Sequence, residues 1–336
     1  MNKSDSLRVA PTYGWSFIQL TGKDAVKFLN NFCTAELKRL SPGQAQELML
    51  LNAKGHVLSW GAALAAEQNL FLMLSGQTAD EVIKHLDAYL FSEDVRLAIW
   101  PMRAWWFGPT VIDARTAEVA PTAELGTALV GQHVAGQWPI DTAAAEAWSV
   151  WQAPRQAWWL LTPERIDLPE VVSGSAPWRT AIAGDKAWSC ESIAEYHRWR
   201  IETEIPIIGQ DTTTNTLPQE LRRDELAISF TKGCYLGQET VARLDAMGHV
   251  NWNLRTLTLD SPWPNNLTDN DSGAPIEEVT IRSAEQTLGQ LTSLHGKQAL
   301  ARVRASAVEE FRRTQGANWQ LSRNDTPVPQ KIHEII

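Results

Sequence analysis

Thr231-Lys-Gly-Cys-Tyr-Leu-Gly-Gln-Glu-Thr240 constrains this chain most, because two glycines, a helix start and a change of texture converge there. Gly233 and Gly237 bracket Cys234 and Tyr235, so the backbone can turn tightly or approach a ligand closely. From Leu236 the spacing predicts a helix. Leu236, Thr240 or Val241, Leu244 and Met247 share a face, and Gly248 suits the position past its end. Before this segment helical and strand patterns alternate; after it the pattern turns β. The chain therefore divides at residues 247 and 248.

In the first part, Thr21-Gly-Lys-Asp24 reads as a capping box opening a helix with Ala25, Phe28, Leu29 and Phe32 on its apolar face. Strands follow at Gln46–Leu51 and His56–Leu64 around an Asn52-Ala-Lys-Gly55 turn, then at Asn69–Leu74. A second helix starts at Thr78 with Glu81 at its third position, burying Val82, Leu86 and Tyr89 or Leu90. The stretch from Trp100 to Ala187, rich in Pro, Ala and Trp, reads as strands and loops. Glu191 to Glu204 is helix-like, with Ile193, Tyr196, Arg200 and Ile201 near one face, stopped by Pro206; Asp211 to Gln219 is a polar loop. Beyond Gly248, strands at Arg255–Leu259, Glu278–Arg282, Gly289–Leu294 and Ala299–Val303 are separated by turns such as Ser261–Asn266, which predicts a small β-barrel.

A thiol beside a helix N-terminus and a lysine sits where thiolate is favoured, which makes Cys234 and Lys232 candidates for covalent or redox chemistry. Spacing alone is equally compatible with a buried, inert cysteine. Gln238 and Glu239 could fix a ligand or simply cap the helix; Tyr235 could stack on a ligand or anchor the loop. Cys33 lies on an apolar helix face and reads as core. No Cys-x-x-Cys occurs, His249 has no paired ligand, and one cysteine is short of the four ligands an iron–sulfur cluster usually takes, so no metal site is expected.

Lys232-Gly-Cys-Tyr-Leu-Gly-Gln-Glu239, with Arg243 following, resembles the signature of the YgfZ family of folate-binding proteins, relatives of the glycine-cleavage T-protein, an aminomethyltransferase. Arg200-Ile-Glu-Thr-Glu-Ile-Pro-Ile-Ile-Gly-Gln-Asp211 resembles the T-protein's Arg-Leu-Glu stretch. Phe28–Thr34 and Leu51–Val57 resemble the shared N-terminal module. The similarity runs from about Gly14 to about Arg304. It implies an α+β, T-protein-like ring of three domains: two interleaved mixed α/β domains over residues 1–247 and a C-terminal antiparallel β-barrel over 248–336. It also implies a tetrahydrofolate, or a one-carbon derivative, held by Arg200, Glu202, Tyr235, Gln238, Glu239 and Arg243. Glu202 corresponds to the T-protein's pterin-binding glutamate; a carboxylate reads the 2-amino/N3–H edge of a pterin bidentately. Without the resemblance, Arg200 and Glu202 read as a surface ion pair.

The implied function is support of iron–sulfur enzymes and tRNA methylthiolation through transient contacts with those enzymes or their assembly proteins. A folate-dependent one-carbon transferase is the alternative. The T-protein's aspartate after the Asn-x-x-Gly turn aligns with Ser59 or Trp60, neither a carboxylate base, so aminomethyl transfer is not expected.

A formal net charge of −9 and a pI near 5.3 argue against stable binding to nucleic acid through its phosphates. Three scattered cysteines suit a reducing compartment, and no leader or membrane-spanning run is recognisable. A monomeric cytoplasmic protein is the expectation. Sixteen tryptophans, ten of them from Trp100 to Trp188, could form a stacking platform or cage; core filling is the simpler reading.

Overall fold

Consecutive strands enter different sheets at the very start of the chain, which sets the architecture. The computed structural model describes residues 7–66, 69–109, 133–137, 147–152, 158–164, 188–263, 276, 278–283, 286–316 and 318–336. Trp138, Trp178 and the end of the Ser261–Asn266 turn lie outside these residues. β1 (Leu7–Pro11) joins one sheet and β2 (Trp15–Thr21) another. The second is antiparallel, in order β3-β4-β5-β2-β6, from β3 (Ala45–Leu51), β4 (Val57–Ala65), β5 (Asn69–Ser75) and β6 (Arg96–Ile99). The first has order β11-β1-β7-β10-β9-β8, from β7 (Met102–Pro109), β8 (His133–Gln137), β9 (Ala147–Gln152), β10 (Trp158–Pro163) and β11 (Trp188–Cys190). Its β1–β11 pair is parallel. The two sheets are thus interleaved in sequence.

Helices α1 (Ala25–Asn30) and α2 (Ala79–Asp87) cover one face of the five-stranded sheet. Phe28, Leu29, Val82 and Leu86 pack there against Ile18, Leu20, Leu48, Leu50, Leu70 and Leu72. The opposite face carries Trp15, Phe17, Met49, Trp60 and Met73. It meets Trp106, Trp159 and Leu161 of the six-stranded sheet, and Tyr196, Trp199 and Ile201 of α3 (Ile193–Glu202) belong to the same core. Residues alternate between faces along a strand, so burial on both sides explains why β4 and β5 read as nearly continuous apolar runs. The buried tryptophans are core: Trp15 meets Trp159 at 5.0 Å between centroids, and Trp159 meets Trp199 at 5.5 Å.

Two local expectations are corrected. Thr21 does not open a helix: it is the last residue of β2, paired with Asn69 and Arg96, and Asp24 stands at the N-cap position of α1 with its carboxylate accepting from the Asp94 amide instead of a helix amide. Thr78 does precede α2, but its hydroxyl bonds Ser59 Oγ and Ser75 O instead of the helix amides.

After α3 come a 3-10 turn (Pro218–Leu221), α4 (Asp224–Ala227) and α5 (Gln238–Met247). α5 starts two residues later than the spacing predicts, since Gly237 is left-handed (φ 83°) and the Leu236 amide bonds Asn31 O instead. Of its predicted apolar face, Val241 is buried, Leu244 half-buried and Met247 56% exposed, because this helix lies at the molecular edge. The remaining strands form an antiparallel sheet in order β17-β16-β13-β14-β15-β12-β18. They are β12 (Trp252–Leu259), β13 (Val279–Ser283), β14 (Gln286–His295), β15 (Gln298–Arg304), β16 (Trp319–Arg323), β17 (Thr326–Pro327) and β18 (Ile332–Ile335). Register shifts at Thr258/Leu259, Ile281/Arg282 and Leu291/Ser293 curl it into a half-barrel around Leu257, Ile281, Leu291 and Val303. α6 (Ala305–Thr314), absent from the sequence reading, buries Ala307, Val308 and Phe311 in that core.

Candidate functional site

The Lys232–Glu239 segment crosses the end of α1. Lys232 is buried, and its Nζ donates to Asn30 O (2.7 Å), Cys33 O (2.8 Å) and Ala35 O, 5.1 Å from the Tyr235 ring centroid. Burial lowers its pKa. Gly237 needs its glycine: a Cβ there would lie 2.9 Å from Asn52 O and 3.0 Å from Gly55 Cα. Thr240 Oγ1 donates to Lys54 O at 3.0 Å, so the start of α5 is fastened to the β3–β4 turn. Between these anchors Cys234 is exposed, while Tyr235 is buried and its hydroxyl pKa is pushed up to about 12 by burial.

This geometry changes the reading of Lys232. Its ammonium faces inward, 3.9 Å from Cys33 Sγ, and its three hydrogens are matched by three carbonyls. It is a structural cation and not a neighbouring charge aimed at the Cys234 thiol. Cys33 is fully buried, and burial pushes its pKa up to about 11 despite the ammonium. Cys190, like Cys234, is exposed.

Arg200 is likewise not a surface residue. Its side chain is fully buried and donates from NH1 to Asp211 Oδ2 (2.8 Å) and Ile205 O, from NH2 to Ser293 Oγ (2.6 Å), and from Nε to Tyr13 Oη (3.0 Å). Asp211 also accepts from the Ile207 amide, Thr292 Oγ1 and Ser293 Oγ. His197 Nε2 lies 3.0 Å from Leu294 O. A carbonyl only accepts, so Nε2 carries the proton and Nδ1 accepts from the Tyr13 hydroxyl. Burial, reinforced by the Arg200 charge, depresses the His197 pKa to about 2, consistent with that neutral tautomer. This network ties the β1–β2 connection, α3 and β14 together, and it engages the Arg200 guanidinium that the resemblance assigns to folate binding.

Glu202 ends α3, half-buried, with Oε1 accepting from Arg198 at 3.2 Å; among the described residues Oε2 has no partner. Gln238 is half-buried in the first turn of α5; Glu239 and Arg243 are exposed along it. Ser59 is buried against Thr78, and Trp60 Nε1 donates to Glu47 Oε1 (2.7 Å), so neither supplies a base. Sequence reasoning missed that Glu47, one strand over, is clamped by Arg223 through Nε and NH2, with the guanidinium 4.8 Å from the Trp60 ring centroid. The pairing of β3 with β4 brings Glu47 near Trp60, and Arg223 reaches both from the start of α4.

Arg223 also borders a cleft of about 650 Å³ between α4 and the end of α5, where Asp224, Glu225, Asp245 and His249 gather. Burial, then repulsion from Asp245 and Glu225, raises the Asp224 pKa. Among the described residues no three His, Cys, Asp or Glu side chains are placed to hold a metal ion, and no helix is long and apolar enough to cross a membrane.

No protein-family model matches the chain. The tRNA-modifying protein YgfZ of Yersinia pseudotuberculosis is 28% identical over 237 residues, covering 70% of this chain and 66% of that protein. The match thus spans just under two thirds of that relative's length. The mitochondrial iron–sulfur cluster assembly factor IBA57 of Mus musculus is 27% identical over 314 residues, 88% of this chain and 77% of the relative. Among solved structures, the glycine cleavage system aminomethyltransferase T from Bartonella henselae superposes with a TM-score of 0.68 at 14% identity, covering 99% of this chain and 86% of that one; this likeness is one of fold. The Lys232–Glu239 segment and these sequence relations make the chain similar to YgfZ and IBA57 proteins, and its fold is that of the T-protein.

Proposed function

We propose that this protein is an accessory factor for tRNA modification and the maturation of iron–sulfur enzymes, with Cys234 as its reactive group and a tetrahydrofolate as its ligand. The relatives' roles in tRNA modification and iron–sulfur cluster assembly support the first part. One observation carries the second: Cys234 is exposed on a loop otherwise anchored by Lys232, Leu236, Gly237 and Thr240. A thiol presented that way suits brief contact with a client protein in the cytoplasm. A folate would be read at its pterin edge by Glu202, whose Oε1 accepts from Arg198 and whose Oε2 has no partner among the described residues. Arg200 would act from behind, by fixing α3. The folate would supply a carrier for one-carbon groups. A transferase of the T-protein type is not favoured, since Ser59 and Trp60 offer no carboxylate and Glu47 is held by Arg223.

Calorimetric titration with tetrahydrofolate tests the ligand. Glu202→Ala is expected to weaken binding by roughly 1.5–3 kcal/mol, the range for charge-assisted hydrogen bonds, with little change in stability. An unchanged Kd would remove Glu202 from the site. No saturable binding at millimolar folate would remove the folate and leave the thiol.

A further inference from the structure

We infer that Lys232 is the positioning residue for Cys234, holding the thiol at the surface through the backbone. The inference rests on the reading of Cys234 as the reactive group. Burying an ammonium is unfavourable unless every N–H finds an acceptor. Here the acceptors are Asn30 O, Cys33 O and Ala35 O, the first at the last residue of α1 and the others just beyond it. Carbonyls at a helix end have no partner within the helix, and a cation there also matches the helix dipole. Lysine and helix end therefore satisfy one another, and the Lys232 backbone is fixed relative to α1.

A second strut stands four residues on, where the Leu236 amide donates to Asn31 O at 3.0 Å. Gly233, Cys234 and Tyr235 bridge the two struts. Tyr235 turns in beneath the ammonium, and Gly233 and Cys234 face out. Nothing lies within 4 Å of where a Gly233 Cβ would be, so the loop is supported from beneath and not pressed from above. The thiol's position is set by α1 through Lys232, although the ammonium itself points at Cys33.

The experiment uses the full-length protein with Lys232→Met and Lys232→Arg. Amide hydrogen exchange is followed at Leu236, and iodoacetamide alkylation of Cys234 is measured relative to exposed Cys190. In Lys232→Met the Leu236 amide is expected to exchange at least tenfold faster, and the Cys234:Cys190 rate ratio to change at least threefold. Amides of the five-stranded sheet should keep their protection. Lys232→Arg, which retains a cation with several donors, should recover much of both. Unchanged Leu236 exchange and an unchanged rate ratio in Lys232→Met would overturn the inference. So would failure of both variants to fold, because Lys232 would then determine the whole fold and not one loop. The readouts are independent of cellular function. A Cys234→Ser protein that works normally would sink the reactive-thiol reading while leaving the loosened loop of Lys232→Met as it stands.

Discussion

Arg200 and Cys234 both belong to segments that resemble the T-protein and YgfZ, yet the structure uses them in opposite ways. Arg200 is fully buried, with donors spent on Asp211, Ser293, Tyr13 and Ile205. Cys234 is exposed on a loop whose flanking residues make the contacts. A motif residue can thus close a network or be presented, and burial together with its hydrogen-bond partners separates the two. Lys232 and Cys234 show the same split within three residues: one faces in to hold the loop, the other faces out.

The sharpest way to break this contrast is to attack the buried network. Asp211→Ala leaves the Arg200 guanidinium buried without its carboxylate, and a loss of about 3–5 kcal/mol is expected in urea unfolding. A loss below about 1 kcal/mol would mean that the network is not a structural centre.

Acidity offers a milder probe of the same region. The unfolded chain protonates His197 near its ordinary pKa of about 6.5, whereas the folded ring resists protonation down to about pH 2. The unfolded state therefore binds more protons between these values, and stability falls as the pH is lowered through 6.5. One such group contributes up to about 1.4 kcal/mol per pH unit, or about 2 kcal/mol between pH 6.5 and 5. His197→Gln should flatten that part of the stability–pH curve; an identical slope would show that another group carries it.

The loop should respond least. Cys234→Ser changes an exposed atom with no packing role, and a stability change within about 0.5 kcal/mol is expected. A larger loss would make the thiol a structural contact.

Much of the scaffold was legible in the sequence. The pairs β3–β4 and β4–β5, α3 and the β texture after Gly248 follow from apolar period and turn residues, because those signals are local. α6 was missed because it lies between strands and contributes only Ala307, Val308 and Phe311 to the core. The motifs single out Lys232, Cys234 and Arg200, but the contacts of their side chains were hidden. The carbonyls that bind Lys232 lie 197 to 202 residues earlier in the chain, and Ser293 lies 93 residues after Arg200. No spacing rule reaches that far. The Glu47–Arg223 clamp, 176 residues apart, left no local signal either.

The central claim is that Cys234 is presented for chemistry. Its most direct test is expression of Cys234→Ser in cells lacking the protein, with iron–sulfur enzyme activity and tRNA methylthiolation measured beside the purified variant's unfolding curve. The expected result is a protein as stable as the wild type that restores neither activity. Full restoration of both by the serine variant would contradict the claim and leave Lys232–Glu239 as a structural turn.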